Sequence, residues 1–320
     1  MTKLFEKKGE WGIRFSRFET SQRAQKRLSE NTVSIYENAW KFLAPAFEPD
    51  NDPYQAVPTS VKEKERMIVE RIEAIILERM DGKKPLSASS INIYTRVANT
   101  FLKWLHEYDD VLKYRWTIKK QSVETGATRD IFTEDEITKL RLYKPTSLNQ
   151  KRTWTMAMMM LDDGMRIAEA LSLTLPAINF DNDMIYISNG KGKKSRYVEI
   201  TPALKPILFR YVDKIMPKTS KFIFGTLKGT KLTSRNALRD ISVVLNKAKV
   251  RVLSWHCFRH TYATGYLVRG GRIEKLQKIL GHSKIETTQI YLHMAQTYYT
   301  QNNADFSSLT PFRGRTSEMI

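Results

Sequence analysis

Cysteine is nearly absent from this 320-residue chain, and a single one, Cys257, excludes an internal disulfide. Long apolar runs are also missing, because no stretch approaches the roughly 18 residues that a membrane-spanning helix needs. The first ten residues, MTKLFEKKGE, lack the apolar core of a secretory signal. We therefore expect no membrane partner and a cytoplasmic location.

Acidic residues are scarce relative to basic ones. The chain has 53 Lys and Arg against 34 Asp and Glu, a formal net charge of +19 and a pI near 9.8. Such an excess indicates a polyanionic partner, of which nucleic acid is the commonest and a membrane surface the weaker alternative. Residues 131–320 hold 30 basic against 15 acidic residues, a net +15, whereas residues 1–130 have a net +4. We therefore expect a chromosome-associated protein whose second half binds phosphates most densely.

Hydrophobic periodicity predicts a helical first domain. Residues 1–28 are polar and charged, and we predict a basic tail there. Residues 29–112 contain three stretches with apolar residues at helical spacing, separated by turns containing Pro and Gly, and we predict a small helical bundle. Residues 113–131 lose this periodicity and are predicted to be a linker. Its Lys119 and Lys120 either contact a phosphate backbone or are simply solvated.

A second domain is predicted over residues 132–297. It begins at Thr133, which has Glu136 three residues later, the spacing of a capping box. Arg166 follows a glycine break within a Met-rich apolar segment, so we place it where a helix begins again. Glu169 lies three residues further on and can brace a neighbouring group.

Residues 178–200 predict a β-hairpin. The alternating runs MIYI and RYVEI flank Asn-Gly, the strongest short hairpin signal. Glycines on both sides of Lys191 distinguish it from the other lysines at the hairpin tip. Basic side chains in this region are candidates for phosphate contacts: Lys191, Lys193 and Lys194 at the hairpin tip, and Arg235 and Arg239 on a later predicted helix.

Four candidate chemical groups lie between residues 254 and 291. His256 and Arg259 are three residues apart, so on a helix they project from one face. His282 follows a glycine that is typical of a helix end, and Tyr291 comes nine residues later. The two histidines can donate hydrogen bonds or move a proton near neutral pH.

This set suits the transfer of a phosphodiester. That reaction needs fixed cations on the non-bridging oxygens, a nucleophile placed in line and a proton for the leaving oxygen. Arg166 and Arg259 can supply bidentate donors that stay charged. Tyr291 is the candidate nucleophile, and Lys191 is the candidate acid for the leaving oxygen.

Four motifs, in this order, resemble the tyrosine recombinase or phage integrase family, most closely its simpler Xer-like members. They are GMRIAEALSL, NGKGKKSR, HCFRHTYAT and LGHSKIETTQIY, and the resemblance spans about residues 130–295. The first domain resembles the family's helical, SAM-like core-binding domain. By this resemblance the catalytic set is Arg166, Lys191, His256, Arg259, His282 and Tyr291, with Glu169 as a supporting residue.

The resemblance implies a mainly α fold with a small β-hairpin or sheet, in two domains that form a C-shaped clamp around DNA. It implies a site-specific recombinase that cuts and rejoins DNA through a 3′-phosphotyrosyl intermediate, with no metal, nucleotide or other cofactor. Its partners would be double-stranded DNA carrying recombination sites and three further copies of the chain, a tetramer on DNA. Residues 298–320 would be a tail that docks on a neighbouring protomer or packs in cis through Phe306, Leu309 and Phe312.

Histidine spacing leaves a zinc site as an alternative. His256 and His260 are four residues apart, but Cys257 is the only neighbour of ligand type, and it points away from the face of His256. We interpret His260 as a structural residue. Tyr298 and Tyr299 are alternative nucleophiles without a comparable histidine context.

Two other functions fit the same features. One is a DNA-binding architectural protein of the same fold without chemistry, which would be free to lose the six catalytic residues. The other is a type IB topoisomerase-like enzyme, which nicks and reseals one duplex instead of exchanging strands.

Overall fold

A computed structural model of the chain describes residues 9–26, 28–47, 60–81, 85–122, 130–188 and 195–301. The chain divides into two compact units, Met1–Gly126 and Ala127–Ile320. The described residues are mainly helical and include one small, three-stranded antiparallel sheet. This confirms the predicted fold class, and the clamp around DNA stays a prediction.

All regular secondary structure in the described part of the first unit is helical. Its helices are α1 (Gly9–Lys26), α2 (Glu30–Leu43), α3 (Val61–Asp81) and α4 (Ala88–Glu107), with a short 3-10 turn at Ala44–Phe47. Ser29 and Ser87 cap α2 and α4 by accepting a backbone N–H three residues ahead. Together these helices bury an aromatic core.

The prediction of a basic tail over residues 1–28 is wrong for the part that forms α1. Phe15 and Phe18 are fully buried. The ring of Phe15 stacks on that of Trp40 with centroids 4.6 Å apart, and the ring of Phe18 stacks on that of Tyr36 with centroids 5.4 Å apart. The two phenylalanines are three residues apart and lie on one helix face. α1 is therefore part of the core of this unit.

The predicted linker is also corrected in its first part, because the described residues through 122 are bound to the first unit. The buried carboxylate of Glu65 accepts the backbone N–H groups of Lys113 and Tyr114 and the indole N–H of Trp116. Asn99 then makes reciprocal hydrogen bonds of 2.7 and 2.9 Å with the backbone of Ile118. Periodicity cannot reveal such side-chain-to-backbone anchors.

A second asparagine repeats this contact two helical turns earlier on α4. Asn92 donates to the carbonyl of Gln121 and accepts its N–H, both at 2.8 Å. The extended segment therefore runs along α4, and both Lys119 and Lys120 are exposed on it. These two candidate DNA contacts are held by a fixed backbone.

The second unit contains the remaining helices and the sheet. Its elements are α5 (Glu134–Leu142), α6 (Leu148–Asp163), α7 (Ile167–Ala170), β1 (Ile178–Asn179), β2 (Met184–Ile187), β3 (Arg196–Glu199), α8 (Lys205–Lys214), α9 (Ser234–Lys247), α10 (Trp255–Val268), α11 (Ile273–Leu280) and α12 (Glu286–Gln301). The predicted capping box of Thr133 and Glu136 is present at the start of α5. β2 pairs with both β1 and β3, which confirms the predicted antiparallel pairing of MIYI with RYVE.

α6 runs through the core of this unit. Met156, Met159 and Met160 are buried in it, as the apolar spacing predicts. α10 packs against both α6 and α12. The residues of α10 therefore lie between the end of α6 and the helix that carries Tyr291.

Two predictions concern residues that lie wholly or partly outside the described ranges. The hairpin tip, with Lys191, Lys193 and Lys194, lies outside the described residues. α12 continues to Gln301, so the predicted tail begins later than residue 298, and Phe306, Leu309 and Phe312 lie outside the described residues. No helix in the described part of the chain is long and apolar enough to cross a membrane.

Candidate active site

Arg166 is positioned by the break between α6 and α7. Gly164 ends α6 in the left-handed conformation, with φ of 65°, and a Cβ there would approach the ring of Tyr262 to 2.3 Å. Arg166 is then the N-cap of α7. Its side chain is 38% exposed, so it is accessible from solvent.

Glu169 orients this arginine. Its carboxylate accepts the backbone N–H of Arg166 at 2.8 Å and the guanidinium at 3.0 Å. Arg196 of β3 approaches the same carboxylate with two further hydrogen bonds. Burial alone would raise the pKa of Glu169, but the hydrogen bonds and charges of Arg196 and Arg166 outweigh it and lower this pKa to about 2.

The carboxyl end of α11 collects three guanidinium groups. The carbonyl of Leu280 accepts from Arg166 at 3.2 Å and from Arg259 at 2.8 Å. The carbonyl of Ile279 accepts from Arg196 at 2.6 Å. A helix end of partial negative charge and the Glu169 carboxylate thus hold like charges close together. These acceptors, all from the same chain, therefore hold the cationic cluster together.

Arg259 is the buried member of this cluster. It is 4% exposed, and it also donates to the carbonyl of Gly164 at 2.8 Å. Burial, followed by the charge of Arg166, lowers the pKa of Arg259 to about 10. It therefore stays charged at neutral pH.

His282 lies directly against Arg259. Its Nε2 is 2.7 Å from Nη2 of Arg259, and its Nδ1 is 2.9 Å from the hydroxyl of Thr288. Burial, then the charges of Arg259 and Arg166, lower the pKa of His282 to about 4. The ring is therefore neutral at pH 7. Because a guanidinium can only donate, Nε2 accepts and the proton is assigned to Nδ1.

Tyr291 lies beside this histidine on α12. It is 2% exposed, and its ring is nearly parallel to that of His282, with an angle of 7° and centroids 6.4 Å apart. Its hydroxyl is 3.0 Å from Nδ1 of His260. The candidate nucleophile is therefore one ring away from the arginine cluster.

The structure brings together most of the predicted set. Arg166, Glu169, Arg259, His282 and Tyr291 form one continuous group of contacts. His256 is exposed on the first turn of α10, and its side chain has no hydrogen-bond partner within the described ranges.

The described basic candidates outside this group are exposed. Arg235 and Arg239 lie on α9. Nε of Arg239 is 3.7 Å from Oδ1 of Asp240. Lys119 and Lys120 belong to the first unit. Lys191, Lys193 and Lys194 lie outside the described residues.

Two residues of the group are not predicted from the sequence. Arg196 is in register with buried Val198 on β3, whereas Tyr197 between them is exposed, so strand alternation could have shown that this arginine points inward. His260, interpreted above as structural, contacts the hydroxyl of Tyr291. Its place on the inner face of α10, in register with Ala263 and Leu267, is the available signal.

The alternative zinc site gains no support from the geometry. Over the described ranges, no three His, Cys, Asp or Glu side chains form a group that could hold a metal ion. His260 forms a hydrogen bond with the Tyr291 hydroxyl. Sγ of Cys257 is 3.6 Å from Oγ of Ser254.

Several known proteins are similar to this chain. A tyrosine recombinase of Thermosipho africanus (strain TCF52B) is 28% identical over 84% of this chain and 91% of its own length. Tyrosine recombinase XerC of Leptospira interrogans is 26% identical over 85% of this chain and 86% of its own length.

Solved structures share the fold. XerH site-specific recombinase bound to a difH substrate matches with a TM-score of 0.64 and 17% identity, covering 90% of this chain and 84% of that chain. The Tn1549 transposon integrase in complex with transposon right end DNA matches with a TM-score of 0.64 and 18% identity, covering 91% of this chain and 99% of that chain.

The family match agrees with the four sequence motifs and with the residues that the fold brings together. It covers residues 130–297, more than half of the chain. This protein belongs to the phage integrase family.

Proposed function

We propose that this protein is a site-specific DNA recombinase that cuts and rejoins strands through a 3′-phosphotyrosyl intermediate. One observation carries the proposal: Arg166 and Arg259 share the Leu280 carbonyl, His282 contacts Arg259, and the ring of Tyr291 lies next to that of His282. Membership of the phage integrase family and relatives that are named tyrosine recombinases support recombination as the activity.

The arginines bind the scissile phosphate in this mechanism. Arg166 is the accessible donor, and Arg259 approaches from the buried side, so the two neutralise the charge that develops on the non-bridging oxygens. Their preorganisation by Glu169 and by the end of α11 means that little rearrangement is needed when the phosphate arrives. His282 keeps Arg259 in place, because its neutral ring accepts one N–H of the guanidinium.

Tyr291 performs the covalent step. Its hydroxyl gives its proton to a neighbouring base as the oxygen attacks phosphorus, a 3′-phosphotyrosyl bond forms, and the bond from phosphorus to the 5′-oxygen breaks. Lys191 supplies the proton to that leaving oxygen. The 5′-hydroxyl of a partner strand later attacks the phosphotyrosine and releases Tyr291. Each step exchanges one phosphoester for another, so no nucleotide hydrolysis is needed.

The partners of this function are also proposals. They are double-stranded DNA with recombination sites, bound in a C-shaped clamp, and other copies of the chain in a tetramer on two sites. Lys193, Lys194, Arg235, Arg239, Lys119 and Lys120 would contact the phosphate backbone. We propose a cytoplasmic, chromosome-associated location on the same basis.

Covalent capture tests the chemistry without knowledge of the target site. A library of nicked duplexes with a randomised core is incubated with the protein in excess chelator, and the DNA that stays bound after denaturation is sequenced. We expect wild type to capture a related set of sequences and Tyr291→Phe to capture none. Tyr266→Phe, a change to a half-buried tyrosine near the same cluster, is the matched control and should capture the same set.

The outcomes separate the three functions. Binding of duplexes without any covalent capture by wild type would favour the architectural protein. An adduct that persists in Tyr291→Phe would contradict the assignment of the nucleophile. Two copies of a captured site are then tested for exchange of flanking DNA, because a topoisomerase-like enzyme would relax supercoils without exchange.

A further inference from the structure

His260 and Tyr291 form a buried pair between α10 and α12. His260 Nδ1 is 3.0 Å from the Tyr291 hydroxyl, and the two residues are 9% and 2% exposed. Tyr291 belongs to a cluster of apolar side chains from α10, α11 and α12, which includes Leu267 and Leu276. The phenol therefore meets an imidazole in a mostly apolar environment.

The chemistry of the pair is directional. A free phenol has a pKa of about 10, so it carries its proton at neutral pH and is a poor nucleophile until that proton leaves. A neutral imidazole with its proton on Nε2 accepts at Nδ1, and 3.0 Å is within the range in which a base takes a proton directly. His260 is thus within reach of the proton that Tyr291 must lose.

The other histidines of the group are placed differently. His282 has both ring nitrogens engaged in this structure, one with Arg259 and the other with Thr288. His256 is exposed on the first turn of α10. His260 is the next residue after Arg259, so one turn of α10 presents both a phosphate ligand and a group that contacts the nucleophile.

We propose that His260 is the general base that accepts the proton of Tyr291 during strand cleavage. This assignment rests on the proposed recombinase function. The Tyr291 O–H bond breaks and its proton moves to His260 Nδ1 as the phenol oxygen bonds to phosphorus. The bond from phosphorus to the 5′-oxygen breaks, and the leaving oxygen takes its proton from Lys191. On religation the proton returns from His260 to the departing Tyr291 oxygen.

His260→Asn is the sharpest variant, because the amide occupies the position of Nδ1 and keeps a hydrogen-bonding atom there but cannot take up a proton. We expect single-turnover adduct formation on a captured, nicked site to fall by about 10²-fold or more, with unchanged DNA affinity. If the shorter Asn side chain perturbs packing, His260→Gln gives a second variant that also cannot take up a proton. His293→Gln, an exposed change on α12 two residues after Tyr291, is the matched control and should match wild type.

Two chemical substitutions distinguish a base from a packing residue. Replacement of Tyr291 by 3,5-difluorotyrosine lowers the phenol pKa, so it should restore about tenfold or more of the activity lost in His260→Asn and change wild type little. A 5′-bridging phosphorothiolate substrate has a leaving sulfur that needs no proton. It should rescue Lys191→Ala but not His260→Asn.

Three results would overturn the assignment. Adduct formation by His260→Asn at the wild-type rate or faster would show that His260 does not take the proton. A slow variant that difluorotyrosine does not recover would show that His260 only packs against Tyr291. Absence of any adduct from wild type on captured sites or on the library would instead reject the proposed recombinase function, and this assignment with it.

Discussion

Arg196 and Glu169 form a buried ion pair through two hydrogen bonds, Nη1 to Oε1 at 3.0 Å and Nη2 to Oε2 at 2.9 Å. Both side chains are 8% exposed. Glu169 also holds Arg166, so β3, the second strand of the hairpin, and the first arginine of the site share one carboxylate. The position of Arg166 therefore depends on β3 as well as on α7.

We predict that Arg196→Met lowers the free energy of unfolding of the second unit by about 3–5 kcal/mol. The reason is that Glu169 would stay buried with one of its two cations removed. Urea unfolding of the full chain, followed by tryptophan fluorescence, measures the loss. The double variant Arg196→Met with Glu169→Met should lose less than the sum of the two single variants, and strict additivity would contradict a coupled pair.

Loss of the accessible arginine should separate chemistry from binding. Arg166→Ala should slow adduct formation by about 10²–10³-fold, since it removes one donor aimed at the transition-state charge. Its DNA dissociation constant should change by less than about tenfold, because we expect many other basic residues to bind the backbone. Single-turnover cleavage at saturating DNA and a fluorescence anisotropy titration give the two values.

The control for this prediction lies on α9. Arg235→Ala removes an exposed arginine outside the cluster, so at saturating DNA it should cleave at the wild-type rate. Equal losses of affinity and cleavage rate in Arg166→Ala would indicate that this arginine serves binding alone.

Periodicity predicts those elements whose apolar residues alone mark one face. It finds α2, α3 and α4, but it misses α1, where Phe15 and Phe18 lie among charged residues. Their partners, among them Phe101 at 5.0 Å from Phe15, are distant in sequence. Composition within a short stretch cannot show that such a distant ring completes the core.

Residue chemistry and motif order predict which groups meet, but not how they are held. Arg166, Arg259, His282 and Tyr291 are together as expected. The carbonyl of Leu280, which joins the two arginines, belongs to the backbone and leaves no mark in the sequence. The sequence indicates only a structural role for His260, because its partner depends on the packing of α12 on α10.

Stability should depend on pH through His282. Its pKa in the folded chain is about 4, below the ordinary 6.5, so between these values the unfolded chain binds a proton that the folded chain does not. Stability is therefore present above about pH 6.5 and lost as pH falls toward 4. Buried Asp163 acts in the opposite direction, because burial raises its pKa to about 8 and the folded chain keeps its proton across this window. The contribution of His282 is therefore measured by circular dichroism as the difference in thermal midpoint between wild type and a variant without a titrating ring.

His282→Gln isolates this contribution. Its amide can still accept from Arg259 but does not titrate, so lowering the pH from about 6.5 to 4.5 should lower the midpoint of wild type relative to that of the variant. Glu169 and Asp163 are present in both proteins, so their contributions cancel to first order in this comparison. Parallel curves for wild type and the variant would contradict the role of His282.

The anchored segment of the first unit should contribute affinity without sequence preference. Asn92 and Asn99 fix the backbone on either side of Lys119 and Lys120, so both lysines are held in place to meet a phosphate backbone. Replacing both lysines by Ala should weaken binding to captured and unrelated duplexes by the same factor. The slope of log K against log salt should become shallower by about 0.9 for each phosphate that is no longer neutralised. Replacing both by Arg keeps the charges and should keep the slope, and an unchanged slope in the Ala variant would show that the lysines are only solvated.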